Sequence, residues 1–305
     1  MKVPVLSSIA GPMRLLSRSV ITLHIGGDSV RLLVVKGKQI TDWGVQPLEP
    51  GLMRGGVVAD QQAVGMQVRS LLASHHIGNG RLVAGLTGQR SVPRILDFPE
   101  MSAQLLGEAI PREMKRQMPV PLEEMHLSWQ VVGSENGNLR VFALGVPREV
   151  LGPLVEAIKL SGRRAHSMDI KPLSLVRAVG RRDALIADLE PEGVDVIVVR
   201  DGIPATIRTV SLGPQAGEIE DKVRRLGEEL TRTVKFYSDT RLEEALPPST
   251  PVCLTGSLAE EVASSGIVEA SVAYPIEPLS PPLECPPDLP VATFMVNIGL
   301  ALKET

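Results

Sequence analysis

The sequence lacks several features that would assign it at once to a class of protein. Its 305 residues contain only two cysteines, Cys253 and Cys285, and neither lies at the spacing of a metal site or a redox motif. This scarcity argues against a disulfide framework and favours a reducing compartment. The sequence also lacks any run of about eighteen apolar residues, so it predicts no membrane-spanning helix. The net charge of −3 offers no electrostatic basis for binding nucleic acid.

The length of the chain leaves room for about two domains and a sizeable core. Within residues 1–20, Lys2, Arg14 and Arg18 separate short apolar pieces, and the long apolar stretch of a secretory signal is missing. We therefore expect a flexible N-terminal segment. A segment that lies weakly on a membrane surface is the alternative at this stage.

Two distant stretches, residues 21–37 and 184–202, follow the same pattern. Each has an apolar strand, a short turn, a second apolar strand, and a basic residue before a turn glycine. Such runs predict β-hairpins. Small residues at a hairpin tip let backbone N–H groups approach phosphate oxygens, because glycine has no Cβ in the way. The pair resembles the hairpins that hold the phosphates of ATP in actin-like ATPases, whereas two unrelated hairpins are the alternative.

Hydrophobic periodicity and capping residues predict the remaining elements. Helices are expected at 61–76, 102–117, 148–160, 172–179, 218–237 and 291–302, and strands at 81–88, 125–132, 139–146, 165–170, 206–212 and 252–255. The order strand, helix, strand, strand within 81–165 makes a compact unit. We interpret this unit as an insert in the first half of the chain.

Short tracts spread along the chain carry a family resemblance. They lie at residues 92–102, 109–113, 118–121, 168–174, 200–204, 229–237, 254–256 and 299–302. Together they resemble, in the same order, the PilM proteins of type IV pilus assembly, which are relatives of the actin-like division protein FtsA. The resemblance implies an α/β protein with the actin-like ATPase fold. It further implies two duplicated lobes and an inserted strand–helix–strand–strand subdomain of SHS2-like type.

This resemblance also implies the domain boundaries. Subdomain 1A of the first lobe is expected at 21–80, the insert (1C) at 81–165 and the second lobe at 166–305. Within the second lobe, the smaller subdomain 2B is expected at about 216–250, the rest being 2A. Residues 1–20 precede these units as the flexible segment.

The function implied by the resemblance is that of a cytoplasmic scaffold, peripheral to the inner membrane through its partner. PilM proteins bind ATP between their lobes and recruit the short cytoplasmic N-terminal segment of the inner-membrane protein PilN. That segment lies in a groove between the first subdomain and the insert, and in this chain Arg90, Arg94 and Arg112 are expected to flank the groove. The sequence does not specify which appendage is assembled or whether copies of the chain self-associate.

The nucleotide site implied by the resemblance departs from the family pattern in this chain. The residues expected to contact ATP are Gly26, Gly27, Asp28, Ser29, Asp188, Glu229, Gly256 and Ser257, and Asp188 is also the expected Mg²⁺ ligand. His24 stands where the family has an aspartate that helps to hold Mg²⁺, an ion that prefers oxygen ligands. Glu190 and Glu192 bring negative charge towards the phosphates. We therefore expect weak ATP binding and no useful hydrolysis, and we assign no catalytic residue.

Two other functions stay open at the level of sequence. An ATP-dependent kinase of the same fold would use Asp188 as its base, but it would need an intact phosphate hairpin. An FtsA-like division protein is expected to carry a C-terminal amphipathic membrane helix after a linker, and the 305 residues show no such helix.

The departures predict weak or absent binding of ATP–Mg²⁺. Changing His24→Asp together with Glu190→Gly restores a carboxylate and removes a repulsive charge, so the double variant should bind better. Calorimetry or a thermal shift with ATP–Mg²⁺ measures this, because a ligand at a hundredfold excess over Kd stabilises by about 2.7 kcal/mol. Low-micromolar binding by the unaltered protein would contradict the prediction and would point to Asp28 as the replacement ligand.

Overall fold

A computed structural model describes residues 19–118, 121–211, 219–240, 246–264 and 274–304. The expected N-terminal segment lies almost entirely outside these residues, as do parts of the expected subdomain 2B. The strands are β1 (Val20–Ile25), β2 (Ser29–Lys36), β3 (Gln39–Pro47), β4 (Met53–Arg54), β5 (Val57–Val58), β6 (Arg81–Leu86), β7 (Val92–Pro99), β8 (Met125–Glu135), β9 (Asn138–Pro147), β10 (Ser167–Ile170), β11 (Ala184–Glu190), β12 (Gly193–Arg200), β13 (Ile203–Ser211) and β14 (Val252–Thr255). The helices are α1 (Gln61–Ser74), α2 (Ala103–Gln117), α3 (Arg148–Leu160), α4 (Lys171–Val179), α5 (Ile219–Thr240), α6 (Ala259–Ser264) and α7 (Val291–Ala301).

The first lobe is built on a five-stranded sheet in the order β10-β6-β1-β2-β3. Strands β1 and β2 form the first expected hairpin, and β6 runs parallel to β1. Every residue of β1 is buried, because α1 and α3 cover one face of the sheet and α7 covers the other. A strand covered on both faces is a continuous apolar run rather than an alternating one, which is the pattern in the sequence.

The second lobe repeats this plan on a four-stranded sheet in the order β13-β12-β11-β14. Strands β11 and β12 form the second expected hairpin, with Ala184 opposite Val199 and Asp188 opposite Asp195. Helices α4 and α7 cover one face of this sheet, and α5 covers the other. The two hairpins predicted from the sequence are therefore both present, one in each lobe.

The insert has the expected order of elements but a different first strand. We expected it to open with a strand at 81–88 and to run over 81–165. Instead Arg81–Leu86 pairs with β1 and β10 in the sheet of the first lobe, and β7 is the first strand of the insert. Strand β7 is absent from the elements predicted from the sequence, because Pro93 interrupts it and Pro99 ends it. Proline is tolerated there because β7 is an edge strand of the three-stranded sheet β7-β9-β8.

The far boundary of the insert also differs from the expected one. Helix α3 packs against α1 in the core of the first lobe, and β10 extends the sheet of that lobe. The insert therefore spans about β7 to β9, and the first lobe resumes at α3. The second lobe begins only after β10, rather than at residue 166, because parallel pairing with β6 holds β10 in the first sheet.

Strand β9 packs against both the first lobe and the insert, because its side chains alternate between its two faces. Phe142, Leu144 and Val146 face the core of the first lobe. Val141 and Ala143, on the opposite face of the strand, pack in the cluster under α2. Because successive residues of a strand point to opposite faces, one strand serves both cores and fixes the orientation of the insert.

Helices α4 and α7 cross between the lobes at very short range. A Cβ on Gly299 would overlap the backbone of Ser174, so only glycine permits this approach. The Arg177 guanidinium donates to the carbonyl of Gly299 at 2.7 Å, and the Asn297 amide donates to the carbonyl of Arg31 at 2.9 Å. This crossing therefore joins α7 to both α4 and the first hairpin.

The close approach of α4 and α7 predicts that a single added methyl group at Gly299 lowers the stability of the protein. Gly299→Ala should destabilise the protein by about 1–3 kcal/mol, because the added methyl group cannot be placed without moving backbone. Gly152→Ala is the matched control, since Gly152 is exposed in α3 and a Cβ there meets nothing within 4 Å. That change should stabilise by about 0.5–1 kcal/mol. Urea unfolding of both variants measures the two effects, and equal stability would contradict the close approach.

Candidate functional site

The first hairpin tip is closed on itself by hydrogen bonds. The backbone N–H of Gly26 donates to the carbonyl of Ser29 at 2.9 Å, and the Ser29 hydroxyl donates to the Asp28 carboxylate at 2.8 Å. Leu48 donates its N–H to the carbonyl of Asp28 at 2.8 Å. The carboxylate of Asp28, an expected nucleotide contact, is thus held by its neighbour at the tip.

The second hairpin tip reaches across the cleft and lies on the first. A Cβ on Gly27 would overlap the carboxylate of Glu192, so the glycine makes room for this side chain. Burial, together with the charges of Asp28 and Glu190, raises the pKa of the Glu192 carboxyl. The space that a glycine tip could offer to a phosphate oxygen is occupied here by a carboxylate from the other lobe.

A buried arginine joins the two lobes beside the tips. Arg31, on β2, forms a bidentate ion pair with Glu190 at 2.6 and 2.7 Å. The Ser257 hydroxyl donates to the same carboxylate at 2.7 Å, and Arg31 also donates to the carbonyl of Thr293 at 3.2 Å. Burial alone would lower the pKa of Arg31, but the hydrogen bond and the charge of Glu190 raise it. Glu190 is therefore neutralised rather than left as the repulsive charge that the sequence suggested.

A second ion-pair cluster, which we call the lysine triad, consists of Lys171, Asp188 and Asp195. The Lys171 ammonium lies 2.8 Å from Asp188 and 2.5 Å from Asp195, which face each other across β11 and β12. The side chains of the three residues are at most 10% exposed. Like charges directly opposite each other destabilise a sheet, so the ammonium between them is what permits this pairing.

Both oxygens of Asp188 are engaged within the second lobe. Oδ2 accepts from Lys171, and Oδ1 accepts from the hydroxyl of Thr255 at 2.7 Å. Burial opposes ionisation of Asp188, but the charge and hydrogen bond of Lys171 outweigh it and lower the pKa. The two carboxylates in turn raise the pKa of Lys171 against the effect of its burial. In this arrangement the expected metal ligand already binds a cation that belongs to the chain.

His24 is buried on β1, opposite Arg31, at the base of the cleft. Within the described residues, neither of its ring nitrogens has a hydrogen-bond partner. Burial lowers the pKa of His24 to about 3, and the charges of Arg31 and Lys171 act in the same direction. The imidazole is therefore neutral at physiological pH and contributes no charge to the cleft.

The remaining expected nucleotide contacts divide into two places. Gly256 has φ +95°, and a Cβ there would overlap Leu189, so this glycine is required by the close approach of two chain segments. Ser257 follows it and reaches Glu190. Glu229 lies instead on α5, where it pairs with Arg232 at 2.6 Å and with Arg208 at 3.2 Å. The residues of the first tip, Asp188 and Ser257 thus border the cleft between the hairpins, whereas Glu229 has its own ion pairs.

Residues that the sequence analysis did not identify complete the cleft, namely Arg31, Lys171, Asp195 and Thr255. Lys171 could have been recognised from its position, because a lysine at the start of a helix is unfavourable for the helix dipole. Such a local conflict is expected at functional or specially paired positions. Asp195 could have been found from the hairpin register, which places it opposite Asp188.

The residues of the cleft do not fit ATP–Mg²⁺ as they are arranged. The position beside Asp188 is filled by an ammonium, the tip glycine is covered by Glu192, and the guanidinium of Arg31 is already paired with a carboxylate. Among the described residues, no group of three or more His, Cys, Asp or Glu side chains is placed to hold a metal ion. The charged side chains of the cleft therefore form ion pairs with one another.

The three arginines expected at the partner groove lie on three different elements. Arg90, on the loop before β7, pairs with Glu149 and lines a cavity of about 430 Å³. Arg94 donates to the carbonyl of Pro93 at 2.8 Å and to that of Gln117, near the end of α2, at 3.4 Å. Arg112 is exposed on α2 and pairs with Glu108 at 3.7 Å. Only Arg90 borders the cavity, and the place of the other two in a groove stays a prediction.

Comparisons with known proteins bear on this fold. No family model and no curated protein matches the sequence. Among solved structures, the chain is similar to one in the PilM–PilN type IV pilus biogenesis complex, with a TM-score of 0.76 and 21% identity over 95% of this chain and 99% of that one. It has the actin-like ATPase fold. The ethanolamine utilization protein EutJ from Carboxydothermus hydrogenoformans is also similar, with a TM-score of 0.58 and 12% identity over 98% of this chain and 92% of that one.

These similarities confirm the fold predicted from the paired hairpins and from the family tracts. The actin-like plan accounts for the two hairpins that face each other, for the crossed helices α4 and α7 and for the sheet in each lobe. Among the described residues, no helix is both long and apolar enough to cross a membrane.

The buried histidine predicts a specific dependence of stability on pH. His24 has a folded pKa of about 3 and an ordinary value of 6.5, so the unfolded chain binds the extra proton as the pH falls through this window. Stability from this residue is complete above pH 6.5 and decreases by about 1.4 kcal/mol per pH unit below it. His24→Leu should remove that part of the slope between pH 6 and pH 4 (roughly the middle of the window).

Urea unfolding across this pH range measures the slope for each protein. His126→Leu is the comparison, because His126 also has a pKa lowered by burial but is only partly buried, so the change should be smaller. An identical slope for His24→Leu and the unaltered protein would show that His24 takes up its proton in the folded state.

Proposed function

We propose that this protein is a scaffold of a type IV pilus or a related secretion machine. In this role it holds the cytoplasmic N-terminal segment of a PilN-like inner-membrane protein and is peripheral to the membrane through that partner. The observation that carries the proposal is the similarity in fold to a chain of the PilM–PilN complex, which extends over 95% of this chain. The 5% of the chain left out is smaller than either lobe or the insert, so the similarity extends to all three.

The groove proposed for the partner lies where the chain leaves the first lobe for the insert. The cavity beside Arg90 is also lined by Pro93, Ile170, Ile207 and Thr209. Its lining combines these apolar side chains with the polar side chains of Gln89 and Ser91 and the cation of Arg90, which suits a short segment that combines apolar side chains with acidic or polar ones. Ile170 and Ile207 come from edge strands of the two lobe sheets, and edge strands are where extended segments add to a sheet.

The cleft geometry supports a scaffold over a kinase of the same fold. A general base must be free to accept a proton from its substrate. Asp188, the residue that a kinase would use, accepts from Lys171 and Thr255 instead. A base held this way would have to break a buried ion pair before each reaction.

Binding of the partner segment tests the proposal directly. A synthetic peptide of the N-terminal segment of the PilN-like protein encoded nearest in the same genome should bind the unaltered protein in calorimetry. Arg90→Glu reverses the charge at the edge of the cavity and should weaken binding about tenfold, which corresponds to about 1.4 kcal/mol. The affinity should be the same with and without ATP–Mg²⁺, because no residue that lines the cavity is among the expected nucleotide contacts.

Arg182→Glu is the control for the charge reversal. Arg182 is 81% exposed, does not line the cavity and pairs with Asp201. This variant should bind the peptide as the unaltered protein does. Absence of binding to the unaltered protein, or equal loss in both variants, would contradict the proposed groove.

A further inference from the structure

The charged side chains between the lobes satisfy one another rather than facing an open cleft. Arg31 and Glu190 join the first lobe to the second, and their side chains are 4% and 16% exposed. Lys171, which follows directly after the last strand of the first sheet, enters the second lobe and joins Asp188 to Asp195. Each buried cation therefore has its counter-charge within hydrogen-bond distance.

Lys171, Glu190 and Glu192 contact the same protein groups that a metal ion or the phosphates of a nucleotide would contact. A divalent cation binds carboxylate oxygens, and the Lys171 ammonium lies between two of them. A phosphate binds guanidinium and hydroxyl donors, and the carboxylate of Glu190 accepts from Arg31 and Ser257. A phosphate oxygen approaches a glycine-containing tip, and the carboxylate of Glu192 covers Gly27.

We propose that this cleft carries its own stand-ins for the ligand, with the Lys171 ammonium in the role of the metal and the carboxylates of Glu190 and Glu192 in the role of phosphates. The two lobes are then held in one arrangement by the chain itself, independently of nucleotide. This differs from a merely weakened ATP site, because a weakened site would leave the cations free to accept an anion and Asp188 free to accept a metal.

The proposal predicts that removal of each stand-in creates the corresponding ligand site. Lys171→Met leaves Asp188 and Asp195 facing each other without a cation, so this variant should gain stabilisation by Mn²⁺. We expect a rise in Tm on the order of 3 °C or more at millimolar Mn²⁺. Glu190→Gln keeps the shape of the side chain and removes the counter-charge of Arg31, so this variant should gain binding of inorganic tripolyphosphate. The unaltered protein should respond to neither probe, nor to ATP–Mg²⁺.

Two matched variants control for the loss of a charge as such. Arg177→Met removes another cation of α4 from a carboxylate, Asp169, which Lys303 still contacts at 3.6 Å, and should gain no response to Mn²⁺. Glu277→Gln removes the surface partner of Arg181 and should gain no binding of tripolyphosphate. Circular dichroism establishes that each variant is folded, and if Lys171→Met does not fold, Glu190→Gln decides alone.

Hydrogen exchange at the two hairpin tips completes the test in the unaltered protein. Exchange at residues 26–29 and 190–193 should be unchanged by ATP–Mg²⁺, because nothing is displaced. Micromolar binding of ATP–Mg²⁺ with protection of these tips would overturn the proposal. A folded Glu190→Gln variant that gains no anion binding would overturn it as well.

Discussion

The ammonium of Lys171, buried between two carboxylates, is the interaction on which the arrangement of the lobes depends. Asp188 and Asp195 face each other on neighbouring strands, and two buried negative charges at that distance would not both remain ionised without a cation. Lys171 supplies that cation from the first residue of α4, which emerges from the first sheet. The same contact therefore stabilises the second hairpin and fixes the start of α4, which follows directly on the last strand of the first sheet.

This contact also connects the two candidate sites of the molecule. Ile170 lines the cavity beside the insert, and Lys171, the next residue, fills the cleft between the hairpins. Ile207 and Thr209, which also line the cavity, belong to the second lobe. The shape of the cavity thus depends on how the lobes are held, and the ion pairs of the cleft hold them. A scaffold benefits from a binding surface that is already formed, since less conformational entropy is lost when the partner binds.

The sequence predicted local elements well and their assignment to lobes less well. The helix expected at 148–160 and the strand expected at 252–255 have the bounds of α3 and β14, because each has a clear apolar pattern. The strand β7 was missed because proline obscures a strand pattern even where an edge position tolerates it. For the cleft, the sequence indicated Asp188 and Glu190, but not Lys171 and Arg31, the cations with which they pair.

By itself, the sequence determined the features that depend on neighbouring residues, namely the two hairpins and the amphipathic helices. Its two cysteines also argued against a disulfide framework. Turn residues and periodicity act over a few positions, so they can be recognised in one dimension. Only the tertiary structure decided which charges meet, because Arg31 and Glu190 are 159 residues apart, and Thr255 reaches Asp188 from 67 residues away. The partners of a buried charge are set by sheet order and by the crossing of α4 with α7. Those long-range contacts turn a cleft with a ligand-binding pattern into one that is closed by its own side chains.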